Sequence, residues 1–523
     1  MKLCLLLFFF LFPTLVFTQE TEETQTVYYI ENIQVHITGK TREPALLRVG
    51  ELKKGEEFVD IEKLEKYVKD KEQLLKNQRV LERVKIAYEL KEPVGDRVPV
   101  TLLIAIVDTY NFIILPEPKF SSSNGLEVEF KTRDYNFLGS MTPLRFDLGY
   151  ALEADDLWNW EKGSLTLSID SGLPFQAFGF NWNFNFDHDF KYTFGEPLYY
   201  KNISSISVDV PWKRTIFTFG FEENFIFNEE NGDAYKLDFG DFTLFYMSSE
   251  LYTAWKIPFG FEVGPFGELS YTPKISGRIN YSPDGIDELH TGPFAIMSHS
   301  LAFGKTNWIE NYREGLVASL DNSNSFNFYQ GDWSVSWGAT VMGYKKIANI
   351  FDVFGFGVSG RTVFKQWFFT NSFKNGKYPA YSNVGDFLRG VKDNTVIVED
   401  GDVLFAFSVD FPLQVLHFVP SEWFHTRSLR YFNLDFHIAP FIDIAFTNGK
   451  KNMEWENGFY HMPPAKDADF SPLFAAGLEV IVFPLAWRSF YLRVSIGYDI
   501  NKRIEEKDMV PYDEVFIGVG HEY

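Results

Sequence analysis

The feature that most constrains this chain is a period-two alternation of apolar and polar side chains, which persists from Phe120 onward. Successive side chains of a β-strand point to opposite faces, so this period indicates strands with one apolar and one polar face. The alternation is clearest in residues 126–133, 144–150, 165–170 and 492–498. A soluble sandwich would bury the apolar face in a core, whereas a large membrane barrel turns it to lipid and keeps a wet lumen.

The N-terminal residues favour the membrane barrel because they predict secretion. Lys2 precedes an apolar run over residues 3–17, and we expect residues 1–19 to be a signal peptide. Cys4 lies within that run and is the only cysteine, so the mature chain should have none. A secreted chain without disulfides must be stabilised by a large core or by a closed sheet. After residue 20 no apolar run is long enough for a membrane helix.

Composition supports the same prediction. Aromatic residues make up 18% of the chain, with 56 Phe, 26 Tyr and 12 Trp, which is typical of barrels with aromatic girdles at both membrane interfaces. The mean hydropathy of −0.15 agrees with lipid-facing residues that alternate with polar ones. The formal charge of −22, from 49 basic and 71 acidic residues, argues against nucleic acid as a partner.

The chain divides into two parts. Residues 28–108 have the pattern of a small α/β domain in the order strand, helix, helix, strand, strand, a length that supports one core. Residues 119–523 predict an all-β transmembrane barrel of about sixteen antiparallel strands, each long enough to span a bilayer when tilted. The longest expected loop covers residues 370–402, and long loops are usually functional or disordered.

Four features of the chain, in this order and spacing, resemble the outer-membrane protein assembly factors of the BamA and TamA type. The matching parts are residues 28–108, which resemble a POTRA domain with Gly39 and the stretch 55–58; the turn Asp134-Tyr135-Asn136-Phe137-Leu138-Gly139; the loop motif Phe387-Leu388-Arg389-Gly390; and the aromatic C-terminal end, residues 516–523. Bacterial insertases of this family often carry several POTRA domains, whereas this chain has one. This difference leaves membership of a multi-subunit assembly complex open.

The resemblance implies that the loop with Arg389 and Gly390 folds into the lumen and docks on the wall. Its expected partners are Asp410 and Asp443, with Phe441 stacked on the guanidinium. Phe441 and Asp443 share a parity, so their side chains point the same way. A guanidinium suits a latch because it stays charged and offers five donors in a fixed fork. Spacing alone favours a solvated Arg389; the motif and its position favour docking.

Closure of the barrel is expected to pair the first strand, 125–133, with the last, 515–523. Glycine weakens a strand, so this seam could open and template another strand by edge pairing. The glycines could equally relieve crowding in an ordinary closed barrel. The residues expected at the seam are Gly125, Leu126, Val128, Phe130, Val515, Ile517, Gly518, Gly520 and Tyr523.

Enzyme motifs are weak or missing, and we expect no catalytic residues, no metal site and no cofactor. Residues 355–360 spell a dinucleotide-binding fingerprint, but they lie within an alternating strand and no helix follows. No nucleophile elbow, phosphate-binding loop or zinc-protease helix appears, and the nine histidines are scattered without metal spacing.

The resemblance implies a factor that inserts or assembles outer-membrane proteins, with its small domain in the periplasm. The expected partners are the outer-membrane bilayer, unfolded outer-membrane protein clients and, as a further possibility, periplasmic chaperones or accessory subunits. The main alternative is a polypeptide translocase of the two-partner secretion type. A porin-like channel would have little reason to carry residues 28–108, and an outer-membrane hydrolase lacks a nucleophile arrangement.

Overall fold

The structure is a computed structural model, and it describes part of the 523-residue chain. The described residues are 26–121, 125–152, 163–194, 198–227, 245–281, 293–328, 331–350, 354–369, 387–391, 396–397, 403–447, 450–451, 454–456, 459–461, 471–506 and 514–520. The expected signal peptide, residues 1–19, and the expected seam residue Tyr523 lie outside them.

The helices and strands follow one another in a single α/β unit and then an almost wholly β unit. In chain order they are β1 Val27–Thr38, α1 Glu43–Val49, β2 Glu57–Phe58, α2 Ile61–Lys76, β3 Leu81–Leu90, β4 Arg97–Asp108, β5 Phe112–Ser121, β6 Gly125–Asp134, β7 Leu144–Leu152, β8 Ser164–Ala177, β9 Phe180–Thr193, β10 Tyr199–Trp212, β11 Thr215–Phe227, β12 Phe245–Glu262, β13 Glu268–Tyr281, β14 Pro293–Ile309, β15 Tyr312–Asn327, β16 Asp332–Ile350, β17 Phe354–Phe369, β18 Val396–Ile397, β19 Val403–Asp410, β20 Leu413–Phe418, α3 Pro420–Trp423, β21 Leu434–Thr447, β22 Lys450–Lys451, β23 Glu454–Glu456, β24 Phe459–His461, β25 Ser471–Pro484, β26 Tyr491–Asp499, α4 Ile500–Glu506 and β27 Glu514–Gly520.

The small domain is a four-stranded sheet in the order β2-β1-β4-β3, with β1 parallel to β4 and the outer pairs antiparallel. Asp60 caps the start of helix α2, because its carboxylate accepts a hydrogen bond from the backbone N–H of Lys63 at 2.6 Å. Leu64 and Leu75 of that helix are fully buried in a core with Leu46 and the sheet. The predicted α/β domain is therefore confirmed, with the short strand β2 added to the expected order.

The second unit is a closed antiparallel barrel, which confirms the predicted fold class. Its described strands form a ring of nineteen segments from β5 round to β27, without β18 and β22–β24. Segments β19 and β20 occupy one position because both pair with β17 and with β21. The described barrel therefore has eighteen strands, where about sixteen were expected.

Part of the difference comes from the start of the barrel. The expected boundary at residue 119 is wrong, since Phe112–Ser121 already forms a barrel strand. Pro116 and Pro118 within this segment argue against a strand, because proline cannot donate to a ladder.

Strand β21 shows how the wall separates its two faces. One row of side chains is apolar throughout and includes Pro440 and Ile442, of which Ile442 is 50% exposed. The other row includes His437, Phe441 and Asp443, each at most 1% exposed. The apolar row faces outward, as in a barrel that spans a membrane, and the mixed row faces the lumen. Among the described residues, no helix is long and apolar enough to cross a membrane.

The small domain is docked on the end of the barrel from which β5 starts, called here the near end. One contact is built around the Asp108 carboxylate, which accepts hydrogen bonds from Lys40 N at 2.7 Å and Thr41 N at 2.9 Å. Asn136, in the turn between β6 and β7, donates to Thr41 Oγ1 at 2.8 Å and to Asp108 at 3.3 Å. Gly39 is required there, because a Cβ would collide with the Asp108 side chain. The turn motif that contains Asn136 thus joins the two units.

A second contact lies across the mouth, where Asn77 and Arg79 follow helix α2. Asn77 Oδ1 accepts a hydrogen bond from Trp308 N at 3.0 Å, and the Arg79 guanidinium lies 4.4 Å from the centre of the Trp308 ring. Arg79 also donates to the carbonyl of Arg488 in the turn between β25 and β26. Burial, followed by the neighbouring Arg488 charge, lowers the pKa of Arg79 to about 9. The small domain therefore bridges separate near-end turns.

We expect Asn136→Leu to loosen this docking while leaving both units folded. The change removes the donor to Thr41 and to the half-buried Asp108 carboxylate. Spin labels on cysteines introduced at Lys53 and Lys213, both exposed, should give a broader distance distribution than in the parent protein.

Asn32→Leu is the control, because Asn32 lies in the same domain and its side chain accepts only from Lys54 there. An unchanged distance distribution in Asn136→Leu would contradict the assigned role of this contact.

Candidate functional site

Residues 387–391 of the longest loop lie inside the barrel. Leu388 and Val391 are 1% and 2% exposed and pack on Leu404, Ala445 and Leu473 of the inner wall. This patch of wall is apolar, unlike most of the lumen-facing rows, so the loop and the wall bury each other's apolar surface. The loop is thereby held against strands β17, β19, β21 and β25.

Arg389 lies at the centre of a cluster of three carboxylates. Its Nε and Nη2 bind Asp443 at 3.0 and 2.7 Å, and its Nη1 binds Glu479 at 2.9 Å and also contacts Asp410. The backbone N–H of Arg389 donates to Asp443 at 2.9 Å as well. Its guanidinium lies 3.8 Å from the centre of the Phe441 ring. The bidentate contact with Asp443, together with stacking on the Phe441 ring, fixes both the position and the plane of the guanidinium.

The charges of the cluster nearly balance. Asp443 and Glu479 side chains are 1% exposed, so neither can rely on water. Arg493 of β26 also pairs with Glu479. Two guanidiniums face three carboxylates, and the loop supplies one of the two. Removing the loop would therefore leave the buried Asp443 carboxylate without the guanidinium that binds it.

Gly390 lets the loop approach the wall closely. Its φ of +93° is a conformation that other residues rarely adopt, and a Cβ would lie 2.5 Å from the backbone N of Tyr498. The facing residue on β26 is Gly497, which pairs directly with Gly477 of β25, and Gly477 pairs with Phe441. These two glycines form a shallow trough in the wall: the Phe441 ring covers Gly477, and Gly390 covers Gly497.

The structure brings together the five residues expected at the latch. Arg389 contacts Asp410, Phe441 and Asp443, and Gly390 follows Arg389 in the loop. Sequence reasoning missed four further members: Gly477, Glu479, Arg493 and Gly497. Glu479 had a detectable signal, because it is the one charged residue in Ser471–Pro484. The glycines could not be found without the register, since it alone aligns Gly477 with Phe441 and with Gly497.

The expected seam is wrong in one of its two strands. Gly125, Leu126, Val128 and Phe130 lie in β6, which pairs with β5 and β7 and not with the last strand. The last strand, β27, contains Val515, Ile517, Gly518 and Gly520 as expected, and its neighbours are β26 and β5. The physical reason is that β5, with its two prolines, does form a strand. The pair β5 and β27 is called the seam below.

The prolines of β5 face the seam. The ladder between β5 and β6 continues without a register shift through Pro116↔Phe130, Glu117↔Glu129 and Pro118↔Val128. Alternate residues of a strand direct their N–H groups to opposite neighbours. In this stretch the N–H groups that donate to β6 are therefore those of Leu115 and Glu117. The nitrogens of Pro116 and Pro118 therefore point to β27, where they can donate nothing.

The remaining motif, residues 355–360, lies in strand β17. Gly355 and Gly357 leave room there for the ring of Tyr312, which a Cβ on either glycine would meet within about 3 Å. In the described part of the chain no group of three His, Cys, Asp or Glu side chains is placed to hold a metal ion.

No family model and no curated protein matches this chain. Among solved structures, it is similar to BamA from Haemophilus ducreyi lacking POTRA domains 1–3, at 13% identity and a TM-score of 0.32, over 90% of this chain and 81% of that one. It is similar to CdiB from Acinetobacter baumannii at 11% identity and 0.42, over 91% and 71%, and to CdiB from Escherichia coli at 8% and 0.36, over 94% and 89%. Similarities at this level carry no conclusion about what this chain does.

Arg389→Ala should undock the loop and destabilise the barrel. It leaves Asp443 buried without the guanidinium that binds it and removes one of the cations at Glu479, a loss of about 3–5 kcal/mol in the free energy of unfolding. Urea unfolding in detergent micelles, followed by tryptophan fluorescence, measures this. Arg145→Ala is the control, because Arg145 lies 3.6 Å from Asp170 in a pair exposed by more than a third, and we expect a loss within about 1 kcal/mol.

A second variant separates docking from charge. Gly390→Ala keeps every charge but places a Cβ against the backbone of Tyr498, so it should also undock the loop. Gly179→Ala has a similar positive φ with nothing within 4 Å, and it should have the smaller effect. If Arg389→Ala and Gly390→Ala both unfold as the parent protein does, the docked loop contributes nothing to stability.

Proposed function

We propose that this chain is an outer-membrane barrel that inserts other β-barrel polypeptides into that membrane, with its small domain in the periplasm. The observation that carries the proposal is the seam. The neighbour of β27 is β5, which presents Pro116 and Pro118 to it. An edge that cannot complete its hydrogen bonds opens more easily than a fully bonded pair, and an open strand edge pairs with another strand.

Two features of the lumen favour entry of a client strand at the seam over passage of a polypeptide through the barrel. The small domain is attached to near-end turns on separate sides of the mouth, through Asn77, Arg79 and Asn136. Residues 387–391 occupy part of the interior and are bound to it by Arg389. A translocated chain would have to displace both, whereas a strand that enters at the seam displaces neither.

The candidate latch supports the seam mechanically. Its wall partners lie on β19, β21, β25 and β26, and β26 is the strand to which β27 is bonded. Docking of the loop therefore holds the last strands in a fixed arrangement up to the edge where the barrel closes. We infer that the latch keeps this side rigid while the β5 side moves.

A translocase of the two-partner secretion type is the second candidate, and one observation favours it. The lumen-facing row of β9 is polar along its whole length, with Asn181, Asn183, Asn185, Asp187 and Asp189. Such a wall would allow a polar chain to slide past it. A porin-like channel is less well supported because of the attached domain and the docked loop.

The test is whether opening of the seam is needed for insertion. Cysteine pairs, one in Phe112–Ser121 and one in Glu514–Gly520, are screened for complete oxidation and reconstituted in liposomes. The parent chain should accelerate the folding of an added unfolded barrel client, the oxidised seam pair should not, and reduction should restore the rate. The mature chain is expected to contain no other cysteine.

The control is an oxidised pair at the facing positions Phe303 and Ala318 of β14 and β15, which should leave the rate unchanged. Full activity with a completely oxidised seam would exclude lateral opening. No acceleration by the parent chain, together with a large steady conductance in the same liposomes, would move the protein to the translocase or channel class.

A further inference from the structure

The lipid-facing rows of four neighbouring strands, β9 to β12, are each interrupted by a polar side chain. In β9 every residue of this row is aromatic except His188. In β11 the row has phenylalanine at every second position from 217 to 227 except at Glu223. Strand pairing makes these interruptions continuous with those of β10 and β12. Together they form the polar patch: His188, Asn202, Ser204, Glu223 and Ser249.

The polar patch faces the hydrocarbon layer. Its neighbours in the same rows include Phe221 and Leu251, which are 39% and 66% exposed, whereas the opposite row of β9 is the polar one that lines the lumen. A tilted strand rises roughly 2.5 Å per residue along the barrel axis, so the patch lies about 20 Å from the near end. The apolar band of such barrels is about 25 Å tall. Polar side chains at this depth are costly against lipid and usually contact other protein groups.

Within one copy the patch forms some of its hydrogen bonds. Ser249 Oγ donates to Glu223 at 2.7 Å, and Ser204 Oγ donates to Asn202 at 2.7 Å. His188 Nδ1 lies 3.0 Å from the Tyr200 hydroxyl. In the tautomer whose Nδ1 accepts from that hydroxyl, Nε2 carries the ring proton and can donate. A carboxylate accepts several hydrogen bonds at once, so the patch offers a donor on β9 and an acceptor on β11.

The donor and the acceptor lie at the same distance from the near end. His188 is eight residues from the start of β9, Glu223 is eight residues from the start of β11, and Ser204 is eight residues from the end of β10. These strand ends meet at two short near-end turns, residues 178–179 and 213–214. Ser204 therefore lies in the middle, with His188 on one side and Glu223 on the other.

We propose that the polar patch joins two copies of this chain side by side in the membrane. Two copies inserted in the same direction are related by a two-fold axis along the membrane normal, which exchanges left and right at constant height. An axis in front of Ser204 places His188 of each copy beside Glu223 of the other. The contact therefore contains two equivalent imidazole–carboxylate hydrogen bonds, formed where lipid offers neither group a partner.

The shape of the wall fits the same axis. Two convex barrels approach most closely at the axis and diverge on either side of it. The short side chain of Ser204 lies at the axis, and the longer side chains of His188 and Glu223 lie where the gap widens. On the near-end side of the patch, Ile206, Phe221 and Leu251 border a groove of about 600 Å³ that supplies apolar surface to the contact.

This contact is separate from the seam. Four strands, β6 to β9, lie between β5 and β10, so a second copy at the polar patch leaves the seam of both copies open to lipid. The pairing of copies therefore does not depend on the proposed function.

The first experiment is a disulfide across the axis. The mature chain is expected to contain no cysteine, so Ser204→Cys supplies one thiol per copy. The full-length protein is oxidised in liposomes at a high lipid-to-protein ratio, and we expect at least tenfold more linked dimer than with Ile442→Cys. Ile442 is the matched control, because it faces lipid, is 50% exposed and lies eight residues from the start of β21.

The second experiment exchanges the donor and the acceptor. His188→Glu alone brings two carboxylates together and Glu223→His alone brings two imidazoles together. Each should lower the dimer fraction in liposomes at least tenfold, measured by single-molecule photobleaching. The double variant, His188→Glu with Glu223→His, again places an acid beside a base and should recover most of the dimer. The exchange does not restore the bonds to Tyr200 and Ser249 within a copy, so recovery reports the contact between copies.

Three results would overturn the inference. One is equal crosslinking of Ser204→Cys and Ile442→Cys, and another is a double variant that is no more dimeric than the single variants. The third is a monomeric protein that retains a lipid in native mass spectrometry and loses it in Glu223→Gln, because the patch would then bind a lipid headgroup. None of these results affects the proposed function, which the oxidised seam pair tests separately.

Discussion

The constraint on which this structure depends is that a backbone in hydrocarbon must bond all its own polar groups. A sheet meets that constraint only by closing, and eighteen described strands do so here. Closure turns the alternation of the sequence into two surfaces, an apolar one for lipid and a mixed one for the lumen. It also forces two strands that are distant in sequence, β5 and β27, to be neighbours. It is also the pair in which two prolines remove donors.

The lumen follows from the same closure. A wide barrel leaves an interior that its own side chains do not fill, and this chain brings a loop into it. The loop contributes apolar contacts through Leu388 and Val391 and a counter-charge through Arg389. Carboxylates that would be costly alone become a binding site for one guanidinium. The trough formed by Gly477 and Gly497 lets the loop backbone reach that site. Wall and loop are therefore complementary in apolar surface and in charge.

Much of this could be predicted from the sequence, because side-chain period depends on local geometry alone. The barrel, the α/β domain and the shared parity of Phe441 and Asp443 all come from patterns within single segments. Register could not be predicted, since it depends on which strands meet, and so Gly477 and Gly497 were missed. The first strand of the seam was expected at 125–133 and lies at Phe112–Ser121. It was misplaced because proline is disfavoured in a strand that is hydrogen-bonded on both sides. Proline is tolerated where one side is poorly bonded, which is the situation of β5.

The central claim is that the seam is the least stable pair in the ring even without a client. Hydrogen–deuterium exchange of the full-length protein in liposomes measures this directly, through the protection of backbone amides. The account predicts that amides of β27 and of the seam-facing residues of β5 exchange faster than those of β14, β15 and β16, which are bonded on both sides over long ladders. Equal protection around the whole ring would contradict it, and the prolines at the seam would then have no bearing on how the barrel works.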